Sequence, residues 1–183
     1  SDSVFQWKQS PIVWEEKQNM KYKCVNHLDK FWFRDAQMEK CEYRDGHMTW
    51  LLTGAAARYN NPSNETLTDR YMDMAQVRFR NAVITRFFLE GSRYYDANDV
   101  LQQEVPDQEI TPADYEKIFR LFPGSVVFWV KEKGPSAGGV CCCEAGIDVT
   151  DEESGETSTY WMEIEYEKAV IEWEHFLNKA MLE

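Results

Sequence analysis

The chain has little of the short patterning that marks common catalytic or cofactor sites. Gly134-Pro135-Ser136-Ala137-Gly138 spells Gly-x-Ser-x-Gly, but an apolar strand pattern and not a helix follows it, so the strand-to-helix turn that presents a hydrolase serine is not encoded. No glycine-rich stretch runs into Gly-Lys-Ser or Gly-Lys-Thr. The stretch 134–139 is followed by an apolar strand pattern rather than a helix, and it reads as a hairpin loop. There are three histidines, His27, His47 and His175, and no spacing ties them into a tetrahedral metal site. Asp148, Asp151, Glu152 and Glu156 are acidic but lack the alternating ligands and internal glycine of an EF-hand loop, so a solvated turn is expected there. No metal and no cofactor is expected.

Other absences bound location and partners. No apolar run approaches the ~20 residues that cross a bilayer. The opening Ser1-Asp2-Ser3-Val4-Phe5 lacks a basic stretch followed by an apolar one, so no signal peptide is expected and the location is expected to be cytoplasmic. Basic residues are the minority, 20 against 32 acidic, for a formal net charge of −12. Phosphates of nucleic acid and anionic lipid headgroups are repelled by such a chain. A basic protein partner is favoured, in encounter rate and in complementarity.

Five cysteines are an odd number, and Cys141, Cys142 and Cys143 are consecutive. Neighbours in a strand point to opposite faces, so these three are poorly placed to bridge one another. With Cys24 and Cys41 they are expected to be reduced thiols. Cys142, between Val140 and Ile147, is expected to pack rather than react. Asn64-Glu65-Thr66 matches the glycosylation tripeptide, a pattern common by chance.

Aromatic residues are plentiful, 14% of the chain, enough to build one core in one domain spanning 1–183. Residues 1–18 read as an arm that docks Trp7 and Trp14. Residues 20–25 alternate as a half-buried strand, and Phe31-Trp32-Phe33 makes a short apolar segment. Asp45-Gly46 between two apolar runs predicts a hairpin over 40–52. Residues 75–80 and 83–89 read as strands joined by a turn at Asn81-Ala82, and 91–103 as a polar loop. Thr111 before Pro112 predicts a capped helix reaching Phe122, stopped by Pro123-Gly124. Residues 126–130 predict a central buried strand, 140–149 another strand, and 151–155 a turn. In 160–166, Tyr160, Met162, Ile164 and Tyr166 alternate with Trp161, Glu163 and Glu165. Val170, Trp173, Leu177 and Ala180 then follow a helical stripe. The expected fold is α+β: a curved, mostly antiparallel sheet of about eight strands, packed with one internal helix and a C-terminal helix.

Two groups of residues qualify as candidate sites. Arg78 and Arg80 share a strand face and form an anion-binding candidate against the acidic background. Trp161, Glu163 and Glu165 project from one strand and form the candidate partner-binding face, with the tryptophan as anchor. The two glutamates read as a charged outward face rather than a catalytic pair.

The segment Phe31-Trp32-Phe33-Arg34-Asp35-Ala36, followed by a hairpin and then Val77-Arg78-Phe79, resembles small bacterial proteins of unknown function. The acidic, aromatic-rich and motif-free whole is similar to immunity proteins of bacterial toxin systems. That resemblance implies an inhibitor that occludes a cationic toxin surface. The expected function is therefore a non-enzymatic protein-binding module for a basic partner. The alternatives are a small-ligand binder using an aromatic-lined concave sheet, or an enzyme with an unrecognised site. A flat acidic face with exposed tryptophan favours the first; a deep pocket with converging polar groups favours the others.

Overall fold

The computed structural model of the chain describes residues 20–135 and 138–182, so the arm expected over 1–18 lies outside the described residues. In chain order the strands are β1 (Tyr22–Val25), β2 (Phe31–Trp32), β3 (Ala36–Arg44), β4 (His47–Thr53), β5 (Ala56–Ala57), β6 (Arg70–Met72), β7 (Ala75–Arg80) and β8 (Val83–Leu89). They continue with β9 (Ser92–Tyr95), β10 (Leu101–Val105), β11 (Gln108–Glu109), β12 (Ser125–Lys133), β13 (Cys141–Thr150), β14 (Thr157–Tyr166), β15 (Lys168–Trp173) and β16 (Phe176–Lys179). One short helix, α1 (Tyr115–Phe119), follows a 3-10 turn over Pro112–Asp114. Among the described residues the chain is thus mostly antiparallel sheet with one short helix.

The predicted hairpin forms where Asp45 and Gly46 both take positive φ, 53° and 76°, which matches the right-handed twist of β3 and β4. The strands 75–80 and 83–89 also form, but they do not pair with each other. β7 and β8 are joined by Asn81 and Ala82 alone, yet five strands lie between them in the ladder β1-β15-β7-β4-β3-β12-β13-β14-β8-β11. The three steps from Arg80 to Val83 span at most about 11 Å. The ladder must therefore curl until its ends meet. The pairings on either side of the junction show how. Val83 lies opposite Glu165 and Arg80 opposite Lys168, at one unbroken offset, and the Glu167 N–H donates to the Arg80 carbonyl at 2.9 Å. β7 and β8 are one bent strand, β14 and β15 are another, and they run side by side. The ladder β7-β4-β3-β12-β13-β14 closes on itself as a ring of six strands, which removes most exposed edges.

Asn81 makes the bend. It adopts φ 49°, its N–H donates to His47 Nδ1 at 3.2 Å, and its side-chain amide donates to the Glu167 carboxylate. The neighbouring Ala82 carbonyl accepts from the Tyr43 hydroxyl at 2.7 Å.

The inside of the ring is filled. Trp50, Phe79 and Tyr166 are fully buried and meet ring to ring, at 4.8 and 5.0 Å between centroids. Met48, Val77, Ile164 and Ile171 complete this layer, and Trp173 closes it against Phe31, edge to face at 5.6 Å. Removing such a ring costs about 3–5 kcal/mol, because the closed ladder cannot collapse onto the hole. A second aromatic cluster joins Phe87, Phe119, Phe122 and Tyr160 beneath α1.

Four expectations are corrected. The C-terminal helix does not form: 168–173 and 176–179 are β15 and β16. Ala169, Ile171 and Trp173 face the core, while Val170 is buried on the opposite face. A strand buried on both sides puts apolar residues at spacings that mimic a helical stripe. The main ladder holds ten strands, not about eight. The polar stretch 91–103 is no simple loop, since β9 and β10 pair there as a projecting hairpin. Finally, the internal helix is one α turn after a 3-10 turn, and the Thr111 side chain makes no capping hydrogen bond.

Candidate functional site

Closure of the ring turns alternate residues of β12, β13, β14 and β8 outward, and the register aligns them into rows. Trp129 lies opposite Gly146, Gly146 opposite Trp161, and Trp161 opposite Phe88. With strands about 4.8 Å apart, the row spans roughly 14 Å. Its centre is a glycine, and Phe128 occupies the space above it. Phe128 is the extra residue of a β-bulge, because Val127 pairs with Ile147 and Trp129 already pairs with Gly146. The bulge sends two consecutive aromatic side chains to the outside. The Phe128 ring then meets Trp161 edge to face, centroids 5.1 Å apart and planes at 84°.

Hydrogen bonds fix the indoles. Trp129 Nε1–H donates to Glu144 Oε1 at 3.0 Å, and Trp161 Nε1–H donates to Glu90 Oε1 at 3.2 Å. Lys133 bridges Glu144 and Glu163, at 3.2 and 2.9 Å. At the far end the Arg86 guanidinium stacks 4.0 Å from the Phe88 ring centre and pairs with Glu109 at 3.3 Å. The rings form a band with Trp129 42% exposed. Around it stand six carboxylates, Glu90, Glu109, Glu144, Asp148, Glu163 and Glu165, and three cations, Arg86, Lys131 and Lys133. The face is aromatic at its centre and acidic at its rim. The paired carboxylates hold Lys133 firmly in its charged form, chiefly through the Glu163 and Glu144 hydrogen bonds.

The structure places Trp161, Glu163 and Glu165 on this face, with Tyr160, Met162, Ile164 and Tyr166 of the same strand in the core. Sequence reasoning missed Phe128, Trp129 and Phe88. Residues 126–130 read as a strand buried on both sides, but Val126 and Trp129 are exposed. Adjacent bulky rings in a strand that also has solvent contact are a signal for a bulge, and that signal is present in Phe128-Trp129.

Arg78 and Arg80 do share a face of β7, away from the aromatic band. They stand near Glu172, a carboxyl that burial pushes up and that Lys23, Arg78 and Arg80 pull back down. Arg78 Nε is buried and has no hydrogen-bond partner among the described residues. The two arginines are not brought to the aromatic band; they lie opposite Val170 and Lys168 of β15.

The remaining candidates resolve into structure. All five cysteines are free thiols. Burial raises the thiol pKa of Cys24 to about 11 and pushes Cys41 and Cys143 higher still, so these groups are poor nucleophiles at neutral pH. Burial, together with Glu163, raises Cys142 as well. Asp151 holds its turn by accepting from the N–H groups of Glu153 and Ser154, and those bonds lower its pKa. Asn64 is buried and donates to the carbonyls of Ala57, Arg58 and Thr68, so the folded chain offers no glycosylation acceptor there. Among the described residues no three His, Cys, Asp or Glu side chains converge as a metal site, and no helix is long and apolar enough to cross a membrane. Comparison with protein-family models, with curated proteins and with solved structures finds no match for this chain.

Proposed function

We propose that the chain is a non-enzymatic protein-binding module that docks a basic partner on the outer face of β12, β13, β14 and β8. The observation that carries this reading is the row Trp129–Gly146–Trp161–Phe88, aligned by register, overlaid by Phe128 and rimmed by carboxylates. Interface energy concentrates in a few aromatic anchors that a polar rim shields from water. This face has both parts, and its indoles are already held in place by Glu144 and Glu90, so little side-chain entropy is lost on docking. The excess of carboxylates selects a cationic surface and rejects acidic ones. An inhibitor that covers a cationic surface of a toxin fits the same geometry.

The filled ring supports this reading over a ligand held inside the sheet. Trp50, Phe79 and Tyr166 occupy the concave side themselves.

The test is recovery of a partner from native lysate by wild type, by Trp129→Ala, by Trp161→Ala and by Glu163→Lys with Glu165→Lys. A basic partner is expected with wild type, lost with each variant, and slower to associate as salt rises. Recovery of the same partner at equal yield by all four proteins removes this face from consideration.

A further inference from the structure

Every residue from Arg93 to Val105 is exposed, so the body of the protein covers neither face of the hairpin made by β9 and β10. The register sorts its side chains. Tyr95 lies opposite Leu101 and Arg93 opposite Glu104, whereas Tyr94 lies opposite Gln103 and Ser92 opposite Val105. Neighbours along a strand alternate, so Tyr95 and Leu101 stand on one face and Tyr94 and Val105 on the other. The tyrosines are 54% and 55% exposed, and Leu101 and Val105 are each 45% exposed. A two-stranded hairpin is marginally stable in water unless something packs on it. This one is held at its two ends instead. At the tip the Asp96 carboxylate accepts from the Asn98 and Val100 N–H groups, at 2.8 and 3.0 Å, and from the Gln102 amide at 3.1 Å. At the base the Gly91 N–H donates to Asp107 Oδ1 at 2.8 Å, and the Val105 carbonyl lies where a Cβ at Gly91 would stand. The backbone between is preorganised while its apolar side chains are left to solvent, so ordering the chain adds little to the cost of docking it.

Charge and position select the occupant. Residues 94–109 hold five carboxylates, Asp96, Asp99, Glu104, Asp107 and Glu109, and no Lys, Arg or His. Arg93 is taken by Glu104 at 3.1 Å and Arg86 by Glu109 at 3.3 Å. Asp96, Asp99, Asp107 and the adjoining Glu90 have no ion pair among the described residues. The hairpin also begins where the aromatic band ends. Glu90, which holds the Trp161 indole, directly precedes Gly91, and the three steps from Phe88 to Gly91 span at most about 11 Å. A body seated on the band therefore meets the base of the hairpin. A second copy, itself of net charge −12, is repelled there.

Resting on the docking face proposed above, we propose that the hairpin enters a cationic cleft of the same basic partner, with Tyr95 and Leu101 against one wall and Tyr94 and Val105 against the other. Apolar side chains on both faces require two walls, because a surface that covers one face leaves the other wet. The carboxylates at the tip and base meet the cations of the cleft. The module then plugs a cleft as well as covering a surface.

The test is photo-crosslinking in native lysate with p-benzoylphenylalanine placed in the full chain at Val100, beside the hairpin tip, or at Val126, beside the band on the outer face of β12. One and the same basic protein, identified by mass spectrometry, is expected as the adduct at both positions. Tyr94→Ala and Tyr95→Ala, on opposite faces, are each expected to slow adduct formation at least tenfold with the melting temperature unchanged. The wild-type adducts decide the shared partner whether or not a variant disturbs the hairpin. An adduct at Val126 with none at Val100 overturns the insertion and leaves docking on the band intact. An adduct at Val100 alone, or none at either position, removes the band reading and the insertion with it. Different proteins at the two positions overturn the shared partner. A loss with only one tyrosine variant means a single wall and overturns the cleft, as does a loss with neither. An adduct between two copies of the chain makes the hairpin a self-contact and overturns the proposal.

Discussion

Gly146→Ala tests the aromatic band at its hinge point. A Cβ built at Gly146 falls 2.5 Å from Cζ and 2.9 Å from Cε1 of Phe128. Real atoms do not approach so closely, so one group has to leave. The strand carrying Gly146 is locked between β12 and β14, whereas Phe128 is a half-buried side chain that can swing outward. The substitution therefore ejects the ring. The loss is the Phe128–Trp161 pair, about 0.5–1.5 kcal/mol, plus roughly half of a phenylalanine burial, about 1 kcal/mol. Alanine in place of glycine within a strand returns about 0.5–1 kcal/mol. The net is about 0.5–2 kcal/mol, a fall of about 1–8 °C in melting temperature for a chain of this size. Thermal denaturation measures it. Gly134→Ala is the control, because nothing lies within 4 Å of a Cβ at that position. The decisive comparison is a double-mutant cycle. On a Phe128→Ala background, Gly146→Ala should be neutral or slightly stabilising. An equal loss on both backgrounds would show that the ring over the glycine is not what the position serves.

Three further outcomes follow from the same reasoning. Gly91→Ala places a Cβ 1.9 Å from the Val105 carbonyl oxygen and 2.6 Å from the Pro106 carbonyl carbon, backbone atoms that cannot yield; amide exchange should speed up across 92–105 while the core strands stay protected, and an unchanged hairpin would contradict the clash. Thr111→Ala should change stability by less than about 0.5 kcal/mol, since the hydroxyl caps nothing; a loss near 1 kcal/mol in chemical denaturation would show a cap after all. Burial, with Asp29 nearby, pushes the Glu132 carboxyl up against the opposing Tyr166 hydrogen bond and His27. A carboxyl raised in the folded state contributes stability that is complete below its unfolded pKa, about 4.3, and is lost as pH rises through its folded value. Glu132→Gln should therefore raise the melting temperature at pH 7 and leave it unchanged near pH 4; a variant less stable at pH 7 would mean the charge is stabilised there.

What was legible in the sequence is local. Asp45-Gly46 needs positive φ at both residues, and a hairpin follows from that alone. The alternation of Tyr160, Met162, Ile164 and Tyr166 with Trp161, Glu163 and Glu165 fixed both faces of β14 before any partner strand was known. What failed was what depends on partners. Val170 is buried on the face of β15 opposite Ala169, Ile171 and Trp173, and with Leu177 and Ala180 beyond it the apolar spacing cannot be separated from a helical stripe by period analysis. Asn81-Ala82 has turn chemistry, but whether a turn returns a strand onto its neighbour or bends it into a ring depends on strands 30 to 90 residues away. The candidate site was half legible for the same reason. Trp161 was found by alternation within one strand. Phe128 and Trp129 needed the bulge, which exists only because β12 pairs with β13 one residue out of step.

Ring closure also decides which aromatic surface stays outside. The interior is taken by the ring's own side chains, Trp50, Phe79, Tyr166 and Trp173 among them. The band of Phe128, Trp129, Trp161 and Phe88 lies on the outer face instead, where the register places Glu144, Glu163 and Glu165 at its rim. Carboxylates that served solubility alone would be placed without regard to the rings; their position around this band is what the proposed docking of a basic partner predicts.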